Sequence, residues 1–163
     1  MLKNKFDLKN KEALVLGGFG LIGFETVHGL LQLGSKVLIL DKLFDKKKFN
    51  LLKKKYKNKI SFKKYDLTKN NPKTFEKILK KHSIYINCSY PKSSNWNKNS
   101  FSKISAKTIK TSLEDNLIPS ICTAISFAEN LKKRKKSGTI IQLGSIYGLV
   151  GQNLNVYKDT KLS

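Results

Sequence analysis

The stretch that decides the fold is residues 13–23, Ala13-Leu14-Val15-Leu16-Gly17-Gly18-Phe19-Gly20-Leu21-Ile22-Gly23. Four apolar residues in succession suit a buried strand, and the glycines then break it. From Leu21 onward, Ile22, Phe24, Val27, Leu30, Leu31 and Leu33 recur at helical spacing until Gly34, a residue type that ends helices as a C-cap. A strand therefore runs through a glycine turn into a helix that packs on the sheet. In that context each glycine has its own task. Gly17 permits the tight turn, Gly20 lets the backbone approach a pyrophosphate, and Gly23 allows close helix–strand packing, with the helix N-terminus facing the anion. Phe19, Leu21 and Ile22 complete the loop and join the glycines as candidate cofactor-binding residues. An ordinary glycine-rich turn is the competing reading. Asp41 argues against it, because it ends the next apolar run roughly 20 residues past the glycines, where a carboxylate can accept hydrogen bonds from an adenosine ribose. That favours NAD. A 2′-phosphate would be repelled by Asp41, although Lys42 beside it offsets part of the repulsion and keeps NADP open.

Outward from this unit the same rhythm continues. Short apolar runs at 13–16, 36–40, 60–65, 84–87 and 139–143 alternate with segments of helical period. Phe49, Leu52 and Tyr56 predict a second helix, and Pro72 at a first helical position, followed by Phe75, Ile78 and Leu79, predicts a third. A longer helical stretch over 108–135 is expected to turn Leu113, Leu117, Ile121, Ile125, Ala128 and Leu131 inward and to kink at Pro119. The alternation predicts an α/β doubly wound parallel sheet, a three-layer Rossmann fold with strand order 3-2-1-4-5. The cofactor would lie across the switch point between the first and fourth strands. No repeat or second-domain linker interrupts residues 1–163, which read as one domain.

Composition narrows the classes further. The formal charge of +22 invites a nucleic-acid partner, yet of the 33 Lys and Arg residues only Arg134 is an arginine, and base and phosphate recognition leans on the guanidinium fork. The lysines read as solvated helix faces, so no specific nucleic acid is expected. No run of about 18 apolar residues appears and the first residues lack a signal-peptide core, so neither a membrane span nor export is expected. The expected compartment is the cytoplasm, where Cys88 and Cys122 would be reduced packing residues. His28 and His82 lie far apart without a third ligand, and no metal site is expected. Glu25, Glu76, Glu114 and Glu129 read as solvated charges on helices. Trp96, in the polar loop at 89–102, could line a substrate pocket or anchor that loop.

Taken in order, these motifs resemble the short-chain dehydrogenase/reductase family over residues 7–157. Asp66-Leu67 after the third strand looks like the pair that contacts adenine in that family, and Asn87-Cys88-Ser89 is similar to its Asn-Asn-Ala-Gly segment, retaining only Asn87. Asn116-Leu117 resembles the region of the active-site Asn, which holds a water in the proton relay. Residues 138–145 resemble the fifth strand, ending in the catalytic Ser, here Ser145; a structural Ser capping a strand end is the alternative. The resemblance implies that Ser145 bonds the substrate oxygen. Tyr157 and Lys161 reproduce the family's Tyr-x-x-x-Lys spacing, in which Lys lowers the Tyr pKa so that Tyr serves as general acid or base.

A narrower resemblance, through Tyr90-Pro91, Ser145-Ile146-Tyr147-Gly148 and residues 156–160, is to members found with bacterial surface-sugar and flagellin-glycan biosynthesis. There the true pair would follow Ser163, making the chain incomplete at its C-terminus with the last strands missing. The resemblance implies hydride transfer between NAD(H) and a secondary alcohol or ketone, on a sugar or nucleotide-sugar, with homo-oligomers in reach. A dinucleotide-binding fragment without turnover and a basic nucleic-acid-associated protein are the rival readings.

Overall fold

The computed structural model describes residues 6–69, 72–91, 104–151 and 153–157. Five parallel strands, β1 (Glu12–Leu16), β2 (Lys36–Asp41), β3 (Ile60–Lys64), β4 (Ile84–Asn87) and β5 (Thr139–Gln142), form one sheet in the order β3-β2-β1-β4-β5. Val15 pairs with Ile39 on one side and Ile86 on the other, so the glycine turn leaves the middle of the sheet at its C-terminal edge. The helices are α1 (Leu21–Gln32), α2 (Lys46–Tyr56), α3 (Pro72–Leu79), α4 (Ala106–Ser112) and α5 (Ile118–Lys133).

Alternation along the strands makes two cores. Ala13, Val15, Val37 and Ile39 face one way and pack with Val27, Leu30 and Leu31 of α1 and Leu52 of α2. Leu14, Leu16 and Tyr85 face the other way, against Phe75, Ile78 and Leu79 of α3 and Phe127 and Leu131 of α5. Side chains of successive strand residues point to opposite faces, so a central strand covered on both sides must be apolar throughout, as β1 is. Gly34 takes a φ of +96° just after α1, and the Ser35 amide donates back to the Leu30 carbonyl at 3.0 Å, ending the helix where the glycine was expected to.

Two expectations fail. Leu21 and Ile22 do not pack on the sheet: they are 91% and 64% exposed, because the first turn of α1 projects past the strand ends. The inward face of α5 is Thr123, Ser126, Phe127 and Leu131, whereas Leu113, Leu117, Ile121 and Ile125 are each about half exposed. The helix carries apolar residues on two faces, and the buried one tolerates Thr123 because its hydroxyl donates to a backbone carbonyl and meets the Tyr85 hydroxyl at 2.9 Å. The long helical stretch changes to a π-helical turn at Leu113–Leu117, just before Pro119, where a kink was expected. Pro119 has no N–H for the carbonyl four residues back, and the Ile118 amide reaches past the Glu114 carbonyl to that of Leu113. Strand β5, the outer member of the sheet, is exposed along its length.

Candidate functional site

The strand ends and the loops above them enclose a cleft of about 1100 Å³, running from the glycine turn past the end of β2 to the loops after β3 and β4. Its geometry follows from the turn. Gly17 has a φ of +73°, and a Cβ there would stand 2.7 Å from the Ser89 backbone. A Cβ on Gly23 would lie 2.1 Å from the Gly17 carbonyl oxygen, so helix and turn touch through this glycine. Gly20 differs: its Cβ would meet only the Gly17 oxygen, at 3.2 Å, leaving open space in front of it. Gly20 is also the N-cap of α1 and offers no side-chain cap, so the first amides of the helix, from Leu21 on, are left to whatever enters the cleft. Gly17, Phe19, Gly20, Leu21 and Ile22 all line that cleft.

Asp41 forms part of the opposite wall, and one of its oxygens accepts a hydrogen bond from the Phe19 amide at 3.0 Å. The carboxylate is thereby fixed to the glycine turn, with its other oxygen left for a ligand. Leu67 and Asp66 line the cleft beyond it. The Asp66 carboxylate accepts from both the amide and hydroxyl of Thr68, at 3.0 and 2.9 Å, which rigidifies the turn after β3. Tyr65 beneath them is pushed up to about 12, first by burial and then by the neighbouring Asp66 charge, and stays un-ionised.

Asn87 is placed differently from the expectation. It is buried and outside the lining: its side-chain oxygen accepts from the Ser89 amide at 3.0 Å and from the Ser89 hydroxyl, while its amide donates to Ser120 on α5 at 3.1 Å. Asn87 therefore positions Ser89, which does line the cleft. Cys88 also lines it; burial raises its thiol pKa, which suits the packing role expected of it.

Of the catalytic candidates among the described residues, neither Asn116 nor Ser145 lines this cleft. Asn116 sits in the π turn with its amide on the Ser112 carbonyl at 3.2 Å, and it is the preceding residue, Asp115, that faces the cleft. Ser145 is exposed and caps the short turn Ile146–Gly148, accepting from the Tyr147 amide at 3.2 Å. It belongs to the same C-terminal edge as the glycine turn, since the Leu143 amide donates to the Asn87 carbonyl. Tyr157 ends a 3₁₀ turn, Leu154–Tyr157, and its side chain, like Lys161 and Trp96, lies outside the described residues.

Sequence reasoning missed Phe44, Tyr90 and Asp115 as lining residues. Phe44 was findable, as the aromatic residue just past Asp41; its ring packs against Phe62 at 4.9 Å and Phe19 at 6.0 Å. The cleft collects Asp41, Asp45, Asp66 and Asp115, four of the chain's 11 acidic residues, beside Lys42, Lys46 and Lys69. On a chain of net charge +22 that concentration of carboxylates disfavours a polyanion groove here. Among the described residues no group of three His, Cys, Asp or Glu could hold a metal ion, and no helix is long and apolar enough to cross a membrane.

A parallel sheet in the order 3-2-1-4-5, flanked by helices and with an uncapped glycine turn at its switch point, is a Rossmann α/β architecture. A profile for short chain dehydrogenases matches residues 11–162, and the chain belongs to that family. No curated protein sequence matches it. Solved structures with the same fold include gox2181, at 21% identity and TM-score 0.78 over 94% of this chain and 60% of that one. A short chain dehydrogenase from Leptospira borgpetersenii with bound NAD+ is 23% identical with TM-score 0.75, over 96% and 59%. Sorbitol-6-phosphate 2-dehydrogenase from Erwinia amylovora is 19% identical with TM-score 0.71, over 88% and 58%. The chain thus spans about 60% of the length of such structures.

Proposed function

We propose that the chain binds NAD(H) in this cleft, as the dinucleotide-binding part of an oxidoreductase acting on a secondary alcohol or ketone of a sugar or nucleotide-sugar. The observation that carries the reading is the uncapped N-terminus of α1 opening into a cleft whose opposite wall holds a fixed carboxylate. The residues fit the group: the chain itself fills the space in front of Gly17 and Gly23, whereas that in front of Gly20 opens into the cleft. When bound, the nicotinamide supplies the site that gains or loses hydride. The residues of this chain do the rest. First-turn amides of α1 bind pyrophosphate, the free oxygen of Asp41 accepts from a ribose hydroxyl, and Leu67 and Asp66 border the adenine. Ser145 would hold the substrate oxygen, Asn116 would hold a water, and Tyr157 with Lys161, or an equivalent pair beyond them, would move the proton.

Fluorescence titration with NADH tests the reading: the wild-type chain binds and Gly20→Val does not, whereas equal binding by both refutes it. NAD is the preferred form because Asp41 opposes a 2′-phosphate, with Lys42 and Lys46 close enough to admit NADP weakly. A dinucleotide-binding protein without turnover is the second reading, favoured by Ser145 being engaged as a cap away from the cleft. Measured alcohol-dependent NAD reduction that is lost in Ser145→Ala would exclude it. The half-exposed Ile121 and Ile125 stripe supports self-association. Size-exclusion chromatography should show Ile121→Lys shifting the chain toward monomer, and an unchanged elution volume would refute that.

A further inference from the structure

We infer that Lys48 is a positioning residue of the dinucleotide loop, holding the Phe19–Gly20 peptide in the orientation that presents the α1 amides to a phosphate. The inference rests on the dinucleotide reading above. Lys48 lies in the first turn of α2, and its ammonium donates to the Phe19 carbonyl oxygen at 2.5 Å. At the other end of the same peptide, the Gly20 amide donates to the Gly17 carbonyl at 3.0 Å. The preceding peptide is held as well, by the Phe19 amide on Asp41. Two successive peptides of the turn are thus fixed by one cation and one anion from outside it.

Lys48 is itself fixed. Its backbone amide donates to the Asp45 carboxylate at 2.9 Å, the N-cap of α2, and its ammonium stands 5.4 Å from the centre of the Phe24 ring on α1. A lysine on a solvated face would wander among rotamers. This one bridges α2, α1 and the turn, and it neutralises the negative end of a carbonyl dipole next to the place where a phosphate must sit. Sequence gives no hint of it, because Lys48 stands in the run Lys46-Lys47-Lys48.

The test compares wild type, K48M and K48R by NADH and ADP-ribose titration, thermal melting, and hydrogen exchange at the Phe19 and Gly20 amides without ligand. K48M should weaken both ligands about tenfold, because ligand binding must then order the loop that Lys48 otherwise holds. It should also speed exchange at both amides, with melting lowered by only a few degrees. K48R should restore binding to within about twofold, since a guanidinium also donates to the carbonyl. K48M binding and exchanging like wild type overturns the inference. So does an equal loss in K48M and K48R that tracks a fall in melting temperature, which would mark Lys48 as packing. A wild-type chain that binds neither ligand overturns the dinucleotide reading itself and removes the role given to Lys48.

Discussion

Gly20 and Gly23, which the motif alone would treat alike, should respond differently to the same methyl group. At Gly23 a Cβ would lie 2.1 Å from the Gly17 oxygen, 2.9 Å from its carbonyl carbon and 3.0 Å from the Gly18 Cα, all backbone atoms. No side chain can rotate away, so α1 must lift from the turn. An overpacked site of this kind costs about 3 kcal/mol. For a chain of this size each kcal/mol moves the melting temperature by roughly 2–4 °C, giving a fall of roughly 6–12 °C for Gly23→Ala. At Gly20 the backbone is already extended, with φ −65° and ψ 175°, and the Cβ would meet one atom at 3.2 Å. Gly20→Ala should therefore cost no more than about 1 kcal/mol in stability, the usual range for losing a favourable N-cap residue. Its methyl nevertheless occupies the space a pyrophosphate needs, and NADH affinity should fall by more than about tenfold. Differential scanning fluorimetry and NADH titration on the two variants separate the effects. Equal destabilisation by both, or wild-type affinity in Gly20→Ala, would refute the division of labour among the glycines.

Three further outcomes are expected. Asp41→Ala should narrow the preference for NAD over NADP and cost about 1–2 kcal/mol by leaving the half-buried Phe19 amide without its acceptor. Asp41→Asn keeps that acceptor and should recover most of the stability, so equal melting of the two variants would count against the Phe19 tie. Tyr85→Phe should cost about 1 kcal/mol through loss of the buried hydroxyl contact to Thr123, read as a change in urea midpoint at constant slope. His82 is buried with its pKa lowered, by burial first and against the opposing pull of the Leu79 carbonyl. The unfolded chain therefore binds a proton at higher pH than the folded one. His82 contributes full stability above its ordinary value of 6.5, and that contribution is lost as pH falls below it. Melting curves between about pH 5 and 8 should show the decline, and His82→Gln should flatten it; an unchanged slope in the variant would assign the effect elsewhere.

The central strands β1 and β2 were legible because they are runs of Leu, Ile and Val that a doubly covered sheet requires, the outer strands β3 and β5 only as short Ile-containing runs between helical segments, and all five boundaries in the sequence fall within a residue of those in the structure. The glycine turn was legible because Gly17 and Gly23 satisfy contacts no other residue can. The burial of α5 was not, since Ile121 and Ile125 compete with Phe127 and Leu131 for the inward face, and apolar spacing alone cannot choose between two such stripes. The choice is made by Thr123 meeting Tyr85 and by the π turn ahead of Pro119, which rotates α5 relative to α4. Long-range ties were equally hidden: Asp41 to Phe19, Asn87 to Ser120 and Lys48 to Phe19 span 22, 33 and 29 residues, and each joins polar groups that look like surface residues in the sequence.

The most direct test of the central claim is to follow the backbone amide resonances of the ¹⁵N-labelled chain as NAD is added. The account expects the largest shifts at Gly20, Leu21 and Ile22, with further shifts at Asp41 and Leu67 and none on the lysines of pocketless helix faces such as Lys132 and Lys133. Shifts confined to lysine-rich surfaces, reproduced by a DNA oligonucleotide and erased by salt, or no shifts in the glycine turn at saturating NAD, would contradict it.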